Sequence, residues 1–148
     1  MIKLAVIHGP NMNFLGVREP DVYGFKSFKE INNSIIKKAG KLNIDVDIFQ
    51  SNHEGEIIDY IQEKYREIDG IVINPAAFTH YSIALRDALS SVKLPVVEVH
   101  ISNIYQRDEF RHKSVIAPIA VGQISGLGPE GYLYAVDAVV NIIKKGSF

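Results

Sequence analysis

The chain has 148 residues, of which 47% are hydrophobic and 22% are charged, and it contains no cysteine. These values fit one globular domain and exclude a wholly disordered chain, a disulfide framework, a thiol nucleophile and a thiolate metal site. A formal net charge of −1 argues against global attraction to nucleic acid and leaves room for a local basic pocket. No apolar run approaches the roughly 18–20 residues that span a bilayer, and the apolar start is too short for a signal peptide, so we expect a cytoplasmic protein.

Short apolar runs alternate along the chain with helical patterns. Strands are predicted at 2–7, 44–49, 70–73, 96–101 and 116–121. Helices are predicted from a capping box at Ser27–Glu30, from a second box at Ser51–Glu54, over 81–92, over a short segment 103–111 and from Gly128 onward. Five strands alternating with helices predict a single α/β domain over 1–148. Its parallel sheet has helices on both faces and the flavodoxin-like strand order 2-1-3-4-5.

One connection is much longer than the usual 2–6 or so residues of an α/β unit. Residues 9–26, which we call the lid segment, show neither helical nor strand periodicity and contain Asn11, Arg18 and Tyr23. A solvated loop and a functional lid beside the switch point of the sheet are both compatible with this pattern.

Polar side chains gather where the predicted strands end. In an open α/β sheet, ligands bind outside the carboxyl ends of the strands, so we expect these side chains to meet at one rim. They are Asn11 after the first strand, Asn74, Thr79 and His80 after the third, and His100 and Ser102 after the fourth.

The fourth strand carries two polar residues at a spacing of two, Glu98 and His100, which places both on one face. Glu98 is expected to accept a hydrogen bond from one ring nitrogen of His100, which would fix its tautomer and raise its basicity. An edge strand with one wet face would show the same pattern.

Arginines indicate a site for an anion. Arg107 and Arg111 are four residues apart, which on a helix places both on one face, and two guanidinium groups suit a carboxylate or a phosphate. A solvated, salt-bridged helix is the alternative. In the lid segment, Arg18 would favour the phenolate of Tyr23 and create a base, whereas Tyr23 alone would be a surface aromatic.

Other patterns give negative results. Gly126–Gly131 matches a dinucleotide-binding fingerprint, but too few residues follow it for the next strand, so it is interpreted as a turn and helix entry. The five histidines show no spacing typical of metal ligands.

Four ordered motifs resemble the type II 3-dehydroquinate dehydratase family over essentially the whole chain. They are Gly9–Gly16 with Arg18–Gly24, Ile73–His80 with Ala84–Asp87, Val97–Asn103 with Arg107 and Phe110–His112, and Gly122–Gly128. The departures are mild, because Met12 and Phe14 stand where the family usually has leucines and His8 is variable in character.

The resemblance implies loss of water from 3-dehydroquinate to give 3-dehydroshikimate through an enolate, in the shikimate or quinate pathway, with no cofactor and no metal. Tyr23 would be the base, Arg18 would lower its pKa, and Asn11 would help to stabilise the enolate oxygen through water. His100, oriented by Glu98, would protonate the departing hydroxyl.

The resemblance also implies how the substrate is bound and how the protein assembles. Arg107 would close over the site or support Tyr23, and trimers would gather into a dodecamer in which Asp87 reaches a neighbour's site. The carboxylate and hydroxyls of the substrate would be bound by Asn74, His80, the Ile101–Ser102 backbone and Arg111.

Two other functions remain open. One is a non-catalytic flavodoxin-like module that binds a small anion at the same rim, and the other is a different lyase for a related hydroxy-keto acid.

Overall fold

The structure is a computed structural model of the chain, and it describes residues 1–17 and 26–146. Five parallel strands form one sheet in the order β2-β1-β3-β4-β5, which confirms the predicted topology. The strands are β1 (Lys3–His8), β2 (Asp45–Gln50), β3 (Gly70–Asn74), β4 (Val96–His100) and β5 (Gly122–Ser125).

Within residues 1–17 and 26–146, four α-helices cover the two faces of this sheet. They are α1 (Phe28–Leu42), α2 (Glu54–Lys64), α3 (Ile83–Ser91) and α4 (Gly131–Lys145). Successive residues of a strand point to opposite faces, so Leu4 and Val6 pack with α1 and α4 while Ala5 and Ile7 pack with α2 and α3. Burial on both faces explains why the central strands have near-continuous apolar sequences.

The two predicted capping boxes have different outcomes. The Ser27 hydroxyl accepts a hydrogen bond from the Glu30 N–H at 3.2 Å, and α1 begins at the next residue, as predicted. The second box is wrong, because α2 begins at Glu54 with His53 as its N-cap. The Ser51 hydroxyl instead accepts from the His53 N–H at 2.9 Å and donates to the Glu56 carboxylate at 2.5 Å, so it closes the turn before the helix.

Two predicted elements in the second half of the chain are also wrong. The last strand is Gly122–Ser125 rather than 116–121, because Pro118 lies in a short 3-10 turn, Ala117–Ile119, and a proline cannot donate to a strand ladder. The helix predicted over 103–111 is two separate 3-10 turns, since the backbone at Arg107 is extended with φ −97° and ψ −172°.

The described residues contain no helix that is long and apolar enough to cross a membrane. The lid segment falls only partly within the structure, and the predictions that concern Arg18 and Tyr23 lie outside the described residues.

Candidate active site

A cavity of about 140 Å³ opens beyond the carboxyl ends of β1, β3 and β4, at the predicted rim. Eight of the predicted site residues line it: Asn11, Asn74, His80, His100, Ile101, Ser102, Arg107 and Arg111. Glu98 lies behind His100 and does not line the cavity. Asp87 lies on an exposed position of α3, away from the cavity of its own chain.

A close approach of two turns shapes one wall of the cavity. The Gly9 N–H donates to the Asn74 carbonyl at 2.7 Å, and a Cβ added at Gly9 would lie 2.3 Å from the Pro75 carbonyl oxygen. Only glycine therefore fits where the turn after β1 meets the turn after β3. Two residues later, Asn11 adopts a left-handed conformation with φ 67°, and its N–H donates to the Asn52 side-chain oxygen at 2.9 Å.

The Glu98–His100 pair lies on an inner strand of the sheet. β4 is flanked by β3 and β5, and the two side chains are 0% and 5% exposed, so the alternative of a wet edge strand is wrong. The predicted contact is present, because His100 Nε2 is hydrogen-bonded to Glu98 Oε2. The Nδ1 atom of His100 forms no hydrogen bond with residues 1–17 or 26–146, which leaves it available to a ligand in the cavity that His100 lines.

Two hydroxyl groups complete the surroundings of the Glu98 carboxylate. Thr79 Oγ1 donates to Oε2 at 2.5 Å, and Ser114 Oγ lies 2.8 Å from Oε1 and 2.9 Å from Oε2. Burial of Glu98 opposes its ionisation, but hydrogen bonds from His100, Thr79 and Ser114 outweigh burial and hold its pKa below the ordinary value. The carboxylate is therefore a fixed negative charge beneath His100. Sequence reasoning placed Thr79 at the rim and missed Ser114 altogether.

His80 is neutral and acts as a hydrogen-bond acceptor towards the cavity. Its Nδ1 lies 2.7 Å from the Lys113 carbonyl, which can only accept, so the proton of a neutral ring sits on Nδ1. Burial lowers the pKa of His80, and the neighbouring His100 and Arg111 add to that effect. Its Nε2 atom consequently carries a lone pair that can accept a hydrogen bond from a ligand hydroxyl.

Asn74 presents a fixed amide to the cavity. Its Oδ1 accepts from the Ala76 N–H at 3.0 Å, and its Nδ2 donates to the Tyr132 hydroxyl at 3.0 Å. These two partners determine which end of the amide is the oxygen, and they leave one Nδ2 proton for a further acceptor. The nearest one is the sulfur of Met12 at 3.5 Å, which is a weak acceptor.

The cavity also has the chemistry of an anion site. Arg107 lies between the two 3-10 turns and Arg111 lies in the second of them. The predicted helix is therefore absent, but both arginines line the cavity as predicted. Nε of Arg111 is buried without a hydrogen-bond partner among the described residues, and its guanidinium carbon lies 5.0 Å from the centre of the Phe110 ring. No cluster of three metal-binding side chains occurs in the part of the chain that the structure describes.

These residues form a site with a proton donor backed by a carboxylate, two neutral hydrogen-bonding groups and two guanidinium groups. Such a set can bind a small, hydroxylated carboxylic acid and protonate one of its oxygens. The base that would complete an elimination is predicted in the lid segment, beyond the described residues.

Comparisons with known proteins agree with one another. The family model for dehydroquinase class II matches residues 2–140. The 3-dehydroquinate dehydratase of Halothermothrix orenii is 68% identical over 148 residues and covers 100% of both chains. The 3-dehydroquinate dehydratase of Dictyoglomus turgidum is 59% identical over 145 residues, which are 98% of this chain and 100% of that protein.

Solved structures show the same likeness. The type II dehydroquinase of Butyrivibrio crossotus has a TM-score of 0.92 and 52% identity, covering 94% of this chain and 97% of the other. The type II dehydroquinase of Propionibacterium acnes has a TM-score of 0.91 at 38% identity, with 95% and 97% of the two chains covered.

Proposed function

The chain belongs to the class II dehydroquinase family and is a hydro-lyase that dehydrates 3-dehydroquinate, and from this premise we propose which of its residues carry the reaction. The names of the relatives support this activity and not a binding module without catalysis or a lyase for another hydroxy-keto acid. The roles below combine the implied family mechanism with the geometry of the cavity.

The elimination proceeds in two steps that together remove one molecule of water. The phenolate of Tyr23, favoured by the charge of Arg18, takes the C2 proton next to the ketone and leaves an enolate. Asn11 helps to stabilise the enolate oxygen through a water molecule. His100 then donates its proton to the departing hydroxyl as the carbon–oxygen bond breaks, and the enolate electrons form the new double bond.

The observation that carries this proposal is the buried Glu98–His100 pair at the wall of the cavity. The ionised carboxylate of Glu98 holds Nε2 of His100 by a hydrogen bond, which leaves Nδ1 of the ring for a group in the cavity. Thr79 and Ser114 keep Glu98 ionised and in place, so His100 has one orientation in which to meet the leaving group.

The remaining polar groups bind the substrate. Arg111, with its unpartnered buried Nε, and the N–H groups of Ile101 and Ser102 hold the carboxylate. Nε2 of neutral His80 accepts from one hydroxyl, and Nδ2 of Asn74 donates to another oxygen. Arg107 closes over the bound substrate.

The test of this function is an absorbance assay for the conjugated enone product with purified protein, 3-dehydroquinate and a chelator. Turnover is expected in the presence of the chelator and after borohydride treatment with substrate, because the enolate needs neither a metal nor a Schiff base. Loss of activity under either treatment contradicts the proposed enolate mechanism.

The assignment of Tyr23 has its own experiment. Tyr23→Phe removes only the phenolic oxygen, so the substrate still binds while exchange of the C2 proton with solvent is abolished. Normal C2 exchange in Tyr23→Phe would show that Tyr23 is not the base. The remaining candidates would be Glu19 and Asp21, two acidic residues of the lid segment, and His80.

We also propose a cytoplasmic homo-oligomer, with trimers gathered into a dodecamer and Asp87 contributing to a neighbour's site. In support, two apolar side chains are exposed at the start of α3, since Tyr81 just before the helix and Ile83 at its first residue are 62% and 55% exposed in the single chain. Light scattering should give a particle of about twelve subunits. An active monomer at assay concentration would remove Asp87 from the site.

A further inference from the structure

A chain of buried hydrogen bonds runs from the cavity to helix α1. Nδ2 of Asn74 lies 3.0 Å from the Tyr132 hydroxyl, which lies 2.8 Å from Nδ1 of His8. Nε2 of His8 lies 2.9 Å from the side-chain oxygen of Asn32. The three side chains nearest the cavity are at most 3% exposed. Only Asn74 has a role in the proposed mechanism, so the other three members are unexplained by it.

The hydrogen bonds in this chain have one possible direction. Because the Ala76 N–H fixes the oxygen of the Asn74 amide, Nδ2 must donate to the Tyr132 hydroxyl oxygen. The Tyr132 proton is then free to go to Nδ1 of His8, and the Nε2 proton goes to Asn32. Burial lowers the pKa of His8 to about 4 and raises that of Tyr132, so both are neutral under assay conditions and the direction holds.

We propose that Tyr132 and His8 are positioning residues for the dehydration, because they hold the Nδ2 end of the Asn74 amide where it can bind the substrate, while the Ala76 N–H holds the other end. Tyr132 takes one Nδ2 proton, and the second faces the weak acceptor Met12 Sδ, which a substrate oxygen can replace. His8 acts one bond further away, by fixing which way the Tyr132 hydroxyl points. This inference rests on the proposed contact between Asn74 and the substrate.

The direct test is Tyr132→Phe, which keeps the ring in the core and removes the oxygen that joins His8 to Asn74. We expect KM for 3-dehydroquinate to rise about three- to tenfold, the size of one neutral hydrogen bond, with a smaller change in kcat. Tyr60→Phe is the matched control, because Tyr60 is also buried and its hydroxyl donates to Asp47 at 2.6 Å outside the cavity. This control should leave KM unchanged.

A double-mutant cycle separates positioning from a merely structural role. If Tyr132 acts through Asn74, the effect of Tyr132→Phe on KM disappears in an Asn74→Ala background. An unchanged KM in Tyr132→Phe, or an equal rise in both backgrounds, overturns the proposal even if the melting temperature falls.

A crystal structure of unliganded Tyr132→Phe gives a readout that does not depend on activity. With only the Ala76 N–H left to hold it, the Asn74 amide is expected to shift at its Nδ2 end in this variant and to stay in place in Tyr60→Phe. An amide that stays as in the wild type overturns the positioning role. Failure of the wild type to dehydrate 3-dehydroquinate would instead contradict the proposed function, so the two failures are distinguishable.

Discussion

His8 and His100 occupy equivalent places in the fold and are surrounded by opposite chemistry. Each is the last residue of a parallel strand, β1 and β4, and each is at most 5% exposed. The partners of His8 are the neutral side chains Asn32 and Tyr132, whereas the partner of His100 is the carboxylate of Glu98. The two rings are buried to a similar depth and differ in the charge of their partners.

Burial disfavours the charged form of an ionisable side chain, and the two sites respond to this differently. Burial without a counter-charge lowers the pKa of His8 to about 4, so this ring stays neutral and serves as a fixed hydrogen-bonding group. A buried carboxylate is unfavourable unless hydrogen bonds compensate it, and Thr79 and Ser114 provide them for Glu98. One edge of the sheet thus holds a buried neutral histidine, His8, and the histidine that we propose as the acid, His100.

The largest expected effect comes from removing His100, the proposed general acid. His100→Ala should lower kcat by about 10²- to 10⁴-fold, the usual contribution of general acid–base catalysis. Exchange of the C2 proton should persist, because enolate formation precedes loss of the hydroxyl. Stopped-assay turnover and loss of deuterium from C2-labelled substrate measure the two steps separately.

His8→Asn is the paired variant and should lower kcat less than tenfold, since it does not remove the proposed proton donor. Equal losses in kcat would abolish the distinction between the two histidines.

The second expected effect comes from removing the charge of Glu98 while keeping the shape of its side chain. Glu98→Gln should lower kcat by about 10- to 100-fold, a part of the general-acid contribution. Exchange of the C2 proton should persist in this variant, because Glu98 supports the proposed acid and not the base. Glu54→Gln is the control, since the Glu54 carboxylate accepts from the Ser82 hydroxyl and does not line the cavity. An unchanged kcat in Glu98→Gln would show that His100 does not need the charge of this carboxylate.

The features that follow from local patterns were predictable from the sequence. The parallel sheet follows from apolar runs whose residues are buried on both faces, and the Glu98–His100 contact follows from a spacing of two in a strand. The cavity lining was predictable for the same reason, because the ends of parallel strands meet at one rim.

Features that depend on distant segments were not predictable in this way. Ser114 lies in an irregular segment without periodicity and reaches Glu98 only because the chain returns past β4, so no local signal marks it. Tyr132 has the helical spacing of a core residue, and its hydroxyl partners are 124 and 58 residues away. The apolar stretch before β5 resembles a strand, but Pro118 and the burial of Ile116 make it a turn anchored in the core.

The third expected effect is a pH-dependent loss of stability to which His8 contributes. The unfolded chain binds a proton on His8 below a pKa near 6.5, whereas the native state stays neutral down to about 4, so stability falls as pH falls between these values. Between pH 7 and pH 5 the free energy of unfolding should fall by about 2 kcal/mol from this group. Denaturant unfolding of wild type and His8→Asn at both values, at one protein concentration, isolates the difference. Identical pH dependence in the two proteins would mean that His8 is protonated in the native state.

The smallest expected effect concerns the support beneath His100. Ser114→Ala removes one of the two hydroxyl donors to Glu98 and leaves the N–H groups of Ile116 and Ala117 without their acceptor at 3.1 and 2.9 Å. Thr79 and His100 still hold the carboxylate, so kcat should fall only about three- to tenfold, with about 1 kcal/mol less stability. Ser114→Thr keeps the hydroxyl and should restore kcat, which a general loosening of the loop would not predict. If Ser114→Ala lowers stability and leaves kcat and its pH profile unchanged, Thr79 and His100 alone suffice to fix Glu98.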